Sequence, residues 1–239
     1  MEVRPGAVHY IMFGHSGLFG DYVDIIHASG GRLRKVVTNF PDAPGRRTGR
    51  TFAQDLAAMN RWLKTRPEGW QIAREDLEDF APGAKESYII GFRGEQVASL
   101  RDRLKREFSL SFAPLIHTGA TISPTVEIGE GAIIGAGSVV GAFGRLGAFC
   151  LINRGTAIGH HVDVGDFANI APGVSIASGV AIGRAAVVGI GATIVNDLII
   201  GAGAMIADGA VVTRDVEAGS LVAGVPARRV RRREAADLP

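Results

Sequence analysis

A small α/β unit followed by a long parallel β-solenoid is the architecture this chain predicts. Three observations carry it. An aliphatic residue stands at every sixth position from Ile116 to Val212, and the glycines gather mostly after residue 118. Before that point, strand-like apolar runs alternate with amphipathic helical ones, and both tryptophans and all three tyrosines lie there. The expected division is 1–110 for the α/β unit, 111–227 for the solenoid and 228–239 for a basic tail.

The front unit opens with VHYIMF (8–13), a candidate buried strand that runs into GHSG. DYVDIIHASG (21–30) has helical spacing of its apolar residues and closes on Gly30 and Gly31. RLRKVVTNF (32–40) predicts a second strand, FAQDLAAMNRWLKT (52–65) a helix, SYIIGF (87–92) a strand and GEQVASLRDRLKREF (94–108) a helix. Strands alternating with helices predict a small parallel, Rossmann-like sheet, whose ligands sit at the carboxyl ends of its strands. Gly14, His15, Ser16 and Gly17 occupy that place after the first strand, ahead of a helix whose N-terminal amides would face an anion.

Stepping by six from Ile116, seventeen consecutive positions are Ile, Val or Leu, without interruption. A period of six is neither that of a helix nor that of one alternating strand. It fits a triangular coil of three hexapeptides, each a short strand and a turn with the aliphatic side chain inward. At the spacing of hydrogen-bonded strands, seventeen hexapeptides make a prism roughly 27 Å long.

The net charge of +2 carries no field suited to nucleic acid or to a membrane surface. No run approaches the ~18 apolar residues of a spanning helix, and VHYIMF is too short for a secretory signal. One cysteine, Cys150, allows no internal disulfide and suits a reducing compartment. The expectation is a cytoplasmic protein that neither inserts into membranes nor binds nucleic acid.

The hexapeptide run, the junction LIHTGATISPTVEIG (115–129) and the ending GSLVAGVPARRV (219–230) resemble the left-handed β-helix acyltransferases. The order of the whole chain is most similar to the N-acetyltransferases of nucleotide-linked amino sugars (bacillosamine and perosamine type) and to the sialic acid O-acetyltransferases. The resemblance implies a left-handed coil, acetyl-CoA as co-substrate, a homotrimer and active sites between neighbouring prisms. It also implies that Gly14, His15, Ser16 and Gly17 hold a nucleotide, with Asn39 near the place of an acidic residue that closes the second strand. Leu18 stands where these relatives carry a histidine.

In IGHHVDVGDF (158–167), His160 falls on the catalytic histidine of that family, and His161 stands where its acidic partner would be. An acceptor amine or hydroxyl loses a proton as it attacks a thioester, and neutral imidazole is suited to take it. His161 is then an orienting or substrate-contacting residue. At three hexapeptides per coil, Ser178 stacks beyond His160 and Asn196 beyond that; the Ser178 N–H is a candidate oxyanion donor. The resemblance adds Asn153 and Asn169 as cofactor contacts, and Arg228 as one of the arginines available to CoA phosphates. Asn169 is equally readable as a corner residue in the left-handed backbone region.

No metal is expected. A zinc-dependent hydratase on such a solenoid needs three histidine ligands, and DVGDFAN, following the pair, has none. Cys150 has no base beside it to serve as an acyl carrier. The primary expectation is acetyl transfer to the amine of a nucleotide-linked amino sugar. Transfer to a sugar hydroxyl, or a non-catalytic trimeric scaffold of the same fold, stays open.

Overall fold

The computed structural model describes residues 8–38, 42, 44, 49–67, 69–94 and 96–232. Contacts divide the chain into Met1–Phe92 with Leu100–Phe112, and Arg93–Ser99 with Ala113–Pro239.

The first unit is built on β1 (His9–Phe13), α1 (Phe19–Ala28), β2 (Arg32–Thr38), α2 (Phe52–Lys64), β3 (Ala73–Asp76) and β4 (Glu86–Ile90), with α3 (Gln96–Phe108) after them. The sheet order is β3-β2-β1-β4, and every pairing is parallel. α1 begins two residues earlier than its apolar spacing suggests and buries Phe19, Tyr22, Val23, Ile25 and Ile26. It ends as Gly30 turns to φ +78° and the Gly31 N–H reaches back to the Ile26 carbonyl. α2 starts at a reciprocal cap: the Thr51 hydroxyl accepts from the Gln54 N–H, and the Gln54 side chain accepts from the Thr51 N–H.

β3 is absent from the sequence reading because ARED (73–76) carries no apolar alternation. It is an edge strand, held by its main-chain register with Lys35–Thr38 and by polar contacts. The Lys35 ammonium lies 2.7 Å from Glu75, and the Thr38 hydroxyl donates to Asp76 at 2.7 Å.

The second unit is a left-handed parallel β-helix. Seventeen two-residue strands run from Leu115–Ile116 to Val211–Val212. As far as Thr193–Ile194, each pairs in parallel with the strand 18 residues on, as Arg145 with Asp163, Leu151 with Asn169 and Ala157 with Ser175. Three faces result. The first holds 127–128, 145–146, 163–164, 181–182 and 199–200; the second starts at 115–116 and includes 151–152 and 169–170; the third starts at 121–122 and includes 157–158 and 175–176. Except near the first coils, the second residue of each strand points inward and is buried, as Ile158, Val164, Ile170 and Ile176 are.

The turns are built to a rule of their own. Three residues after the inward aliphatic, the backbone enters the left-handed region: Gly155, Gly173 and Gly179 do so, but so do Phe143, Phe149, His161, Phe167, Ala185 and Asp197. Glycine directly after the aliphatic has another cause. A Cβ on Gly159 would lie 2.7 Å from the Ser178 nitrogen, so only glycine lets the coils approach there.

The segment expected to be a tail begins as structure. Arg228–Arg232 pairs antiparallel with Ser220–Ala223, covering an edge that the last coil would otherwise leave open.

Ile170→Ala should cost about 2–5 kcal/mol of unfolding free energy, because the inward position leaves a cavity between stacked coils. Ile199→Ala, at an outward position 60% exposed, should stay within about 0.5 kcal/mol of wild type. Urea unfolding of both variants checks the pair.

Candidate active site

His160 and His161 lie in the turn between Ala157–Ile158 on the third face and Asp163–Val164 on the first. His161 takes φ +56°, a conformation histidine adopts more readily than branched residues. Its N–H donates to the Ala142 carbonyl at 2.9 Å. Its ring packs at 5.0 Å and 35° on Phe143, which holds the same turn position one coil earlier. The His160 carbonyl accepts from the Gly179 N–H at 3.0 Å. Both imidazoles are exposed, nearly perpendicular at 89°, and their Nδ1 atoms lie 2.9 Å apart. At that distance one Nδ1 carries the hydrogen and the other accepts it.

Ser178 and Asn196 occupy the same edge, one and two coils beyond His160, as coil arithmetic requires. At two equivalent turn positions the main-chain N–H is taken by an aspartate from the next coil. Ala148 donates to Asp166 and Ile190 to Asp208, each at 2.8 Å. At the histidine edge no carboxylate holds that place. Among the described residues the N–H groups of His160 and Ser178 make no intramolecular hydrogen bond. The Asn196 amide donates to Asp197 at 2.8 Å. The edge therefore pairs an imidazole with an unspent backbone donor.

An open, largely apolar groove of about 480 Å³ runs along the third face, lined by Val139, Ala157, Gly159, Ser175, Ala177 and Asn196 among others. Gly159 and Asn196 carry its wall to the histidine edge. Asn153 borders the opposite edge of that face, where its Oδ1 accepts from the Arg154 N–H at 2.8 Å. Asn169 opens a strand on the second face, across the prism from the histidine edge, and its backbone is not left-handed. Arg228 lies in the C-terminal hairpin beside a cavity of about 190 Å³, which Arg214, Glu217 and Arg229 also line. One chain thus brings together His160, His161, Ser178 and Asn196, and leaves Asn153, Asn169 and Arg228 apart from them.

In the first unit, Gly14 turns at φ +67° and its N–H donates to the Val37 carbonyl, holding the loop to the ends of β1 and β2. The Ser16 hydroxyl donates to the Gly91 carbonyl at 2.8 Å and accepts from the Leu18 N–H, so it braces the turn. Gly17 faces open space. His15 stacks on Phe52 at 3.9 Å and 10°. Burial, aided by Arg74, holds its pKa below the usual histidine value against the opposite pull of Asp42 and Asp55. Asn39 lies outside the described residues.

Sequence reasoning missed Asp42, whose carboxylate accepts from the N–H groups of Phe52 at 2.7 Å and Ala53 at 2.9 Å. The start of α2 is thereby filled by the chain's own anion. Burial acts to raise the Asp42 pKa, but those N–H donors, Arg74 and His15 outweigh it and hold it below the usual 3.8. No local spacing signals this contact, since ten residues separate the partners. Phe143 was legible in principle: it stands one coil before His161.

Among the described residues no group of three or more His, Cys, Asp or Glu is placed to hold a metal ion. No described helix is long and apolar enough to cross a membrane.

No family model and no curated protein matches the chain. Solved structures share its fold. PerB from Caulobacter crescentus, in complex with CoA and GDP-perosamine, superposes with a TM-score of 0.73 at 23% identity, over 95% of this chain and 98% of that one. The acetyltransferase domain of PglB from Neisseria gonorrhoeae FA1090 gives 0.74 at 20% identity, over 93% and 100%. WeeI from Acinetobacter baumannii AYE gives 0.72 at 24% identity, over 92% and 99%. The chain therefore shares the fold of these proteins along nearly its whole length.

Two outcomes follow. Asp42→Ala should lower stability by about 1 kcal/mol at neutral pH, as loss of a helix N-terminal acceptor does. A depressed carboxyl stabilises above its unfolded value, so this difference should close as the pH falls below 3.8 and through the lowered folded value; urea unfolding across pH checks it. Cys150 is wholly buried, and burial pushes its thiol up to about 12. It should resist iodoacetamide at pH 8 in the native protein and label on unfolding, read by mass spectrometry.

Proposed function

We propose that this chain is an acetyl-CoA-dependent N-acetyltransferase whose acceptor is the amine of a nucleotide-linked amino sugar, working as a homotrimer in the cytoplasm. The observation that carries the reading is the histidine edge: an exposed imidazole, His160, beside an unspent N–H at Ser178, at the rim of an apolar groove. The shared fold supports it, because proteins built this way have been seen with CoA and with a nucleotide-linked amino sugar.

The residues fit the co-substrate. The groove on the third face offers an apolar channel for an extended pantetheine arm, and its wall includes Gly159, the residue before His160. The acceptor amine attacks the thioester carbonyl and its proton passes to His160; the C–S bond then breaks and CoA leaves as the thiol. The Ser178 N–H is the donor for the carbonyl oxygen as negative charge builds there. The Gly14–Gly17 loop, at the carboxyl ends of its strands, is where the nucleotide of the acceptor would rest. A site that unites His160 with Asn169 needs a neighbouring copy, because the two lie on opposite sides of one prism. This supports the trimer, which sedimentation would report as three times the 25.1 kDa chain.

The test is thiol release from acetyl-CoA with nucleotide-linked 4-amino sugars as acceptors. His160→Ala should lower the rate by about 10²- to 10⁴-fold, the span of general-base catalysis. Calorimetric binding of acetyl-CoA should be unchanged by the substitution. Absence of acetyl-CoA binding to the wild-type protein would overturn the reading.

A further inference from the structure

The contact between the two imidazoles decides between the orienting and substrate-contacting roles that the position of His161 left open. We infer that His161 is a positioning residue: its Nδ1 accepts the Nδ1 hydrogen of His160 and so presents the His160 Nε2 lone pair as the base. The inference deepens the acyltransferase reading and rests on it for its catalytic consequence, though not for its structural one.

The Nδ1 atoms are 2.9 Å apart, a hydrogen-bond distance that admits one hydrogen between them. A neutral imidazole carries a single N–H, so the contact couples the two tautomers. If His160 donates, its Nε2 holds a lone pair and His161 is protonated at Nε2. If His161 donates, the roles reverse and the His160 Nε2 carries hydrogen, unable to accept a proton. The surroundings favour the first arrangement. The turn column of His160, Ser178 and Asn196 follows directly on the groove-lining Gly159, Ala177 and Val195, and Asn196 itself lines the groove. The column of His161, Gly179 and Asp197 does not line it. His161 is further fixed by its N–H bond to Ala142 and by the Phe143 ring. A ring held against Phe143 suits the acceptor, and the one that follows groove-lining Gly159 suits the base.

When His160 takes a proton at Nε2, its Nδ1–H still points at a neutral acceptor. The new charge is stabilised by that hydrogen bond rather than by a carboxylate.

The φ of +56° at His161 makes a clean variant possible. Glycine occupies the same turn position at 155, 173 and 179, so His161→Gly removes the acceptor without straining the backbone. Asparagine tolerates this conformation and keeps an acceptor oxygen. His161→Gly should lower kcat by at least about tenfold, with KM for acetyl-CoA unchanged, and His161→Asn should recover most of the loss. Independently of activity, ¹⁵N NMR of the wild-type protein at neutral pH should show His160 as the Nδ1–H tautomer, shifting to the Nε2–H form or a mixture in His161→Gly. A wild-type His160 bearing its hydrogen on Nε2, or His161→Gly as active as wild type, would overturn the inference. Should the wild-type protein prove inactive toward every acceptor, the NMR tautomer still decides this question separately from the acyltransferase reading.

Discussion

The main-chain ladder between coils is the constraint on which the rest of the solenoid depends. Gly159 donates to Ile176 at 2.8 Å, Ala157 to Val174 at 2.9 Å, and the pattern repeats along the prism. Such a ladder closes only if each coil has the same length, which is why no residue is inserted between Ile116 and Val212. Equal coils in turn stack equal positions, so the side chains of one edge form a column spaced by the parallel-strand distance. A column is a way to build a site. His160 meets Ser178 because 18 residues separate them, and for no other reason.

The same constraint explains how the chain bears a pair of neighbouring histidines. From Gly131 to Gly209 each hexapeptide places one residue in the left-handed region, and the turn does not require that it be glycine. Phe143 and His161 stack on one edge, as Phe149 and Phe167 do on another at 5.8 Å, and these ring contacts between coils help hold a conformation that L-residues otherwise avoid. The strained position thus turns His161 toward His160. At two other turns, Ala148 and Ile190, an aspartate of the next coil takes the amide; at the histidine edge none does, and the Ser178 N–H is left as a donor.

The first unit follows different rules. Its loop between β1 and α1 is braced from within by Ser16 and Gly91, and α2 is capped by Asp42 from a distant stretch of chain. A helix start filled by the protein's own carboxylate has less to offer a ligand anion than an open one. The stacked pair of His15 on Phe52 is the aromatic feature beside that loop.

The solenoid was legible because its forces are periodic: one buried aliphatic per turn of the clock, repeated seventeen times, leaves no competing arrangement. The order of elements in the front unit was legible for a similar reason, since buried runs and helix caps are local. The edge strand at 73–76 was not, because its pairing lies in main-chain hydrogen bonds and two polar contacts that apolar patterning does not record. Nor was the strand at 228–232, whose arginines resemble a solvated tail until the edge of Ser220–Ala223 is there to receive them. In the site, sequence alone determined which residues share a column with His160, because register is arithmetic. Tertiary structure alone decided that the Ser178 amide is unspent and that His161 turns its Nδ1 to that of His160. Those depend on side-chain direction and on the absence of a competing partner, which are properties of three-dimensional packing and not of spacing.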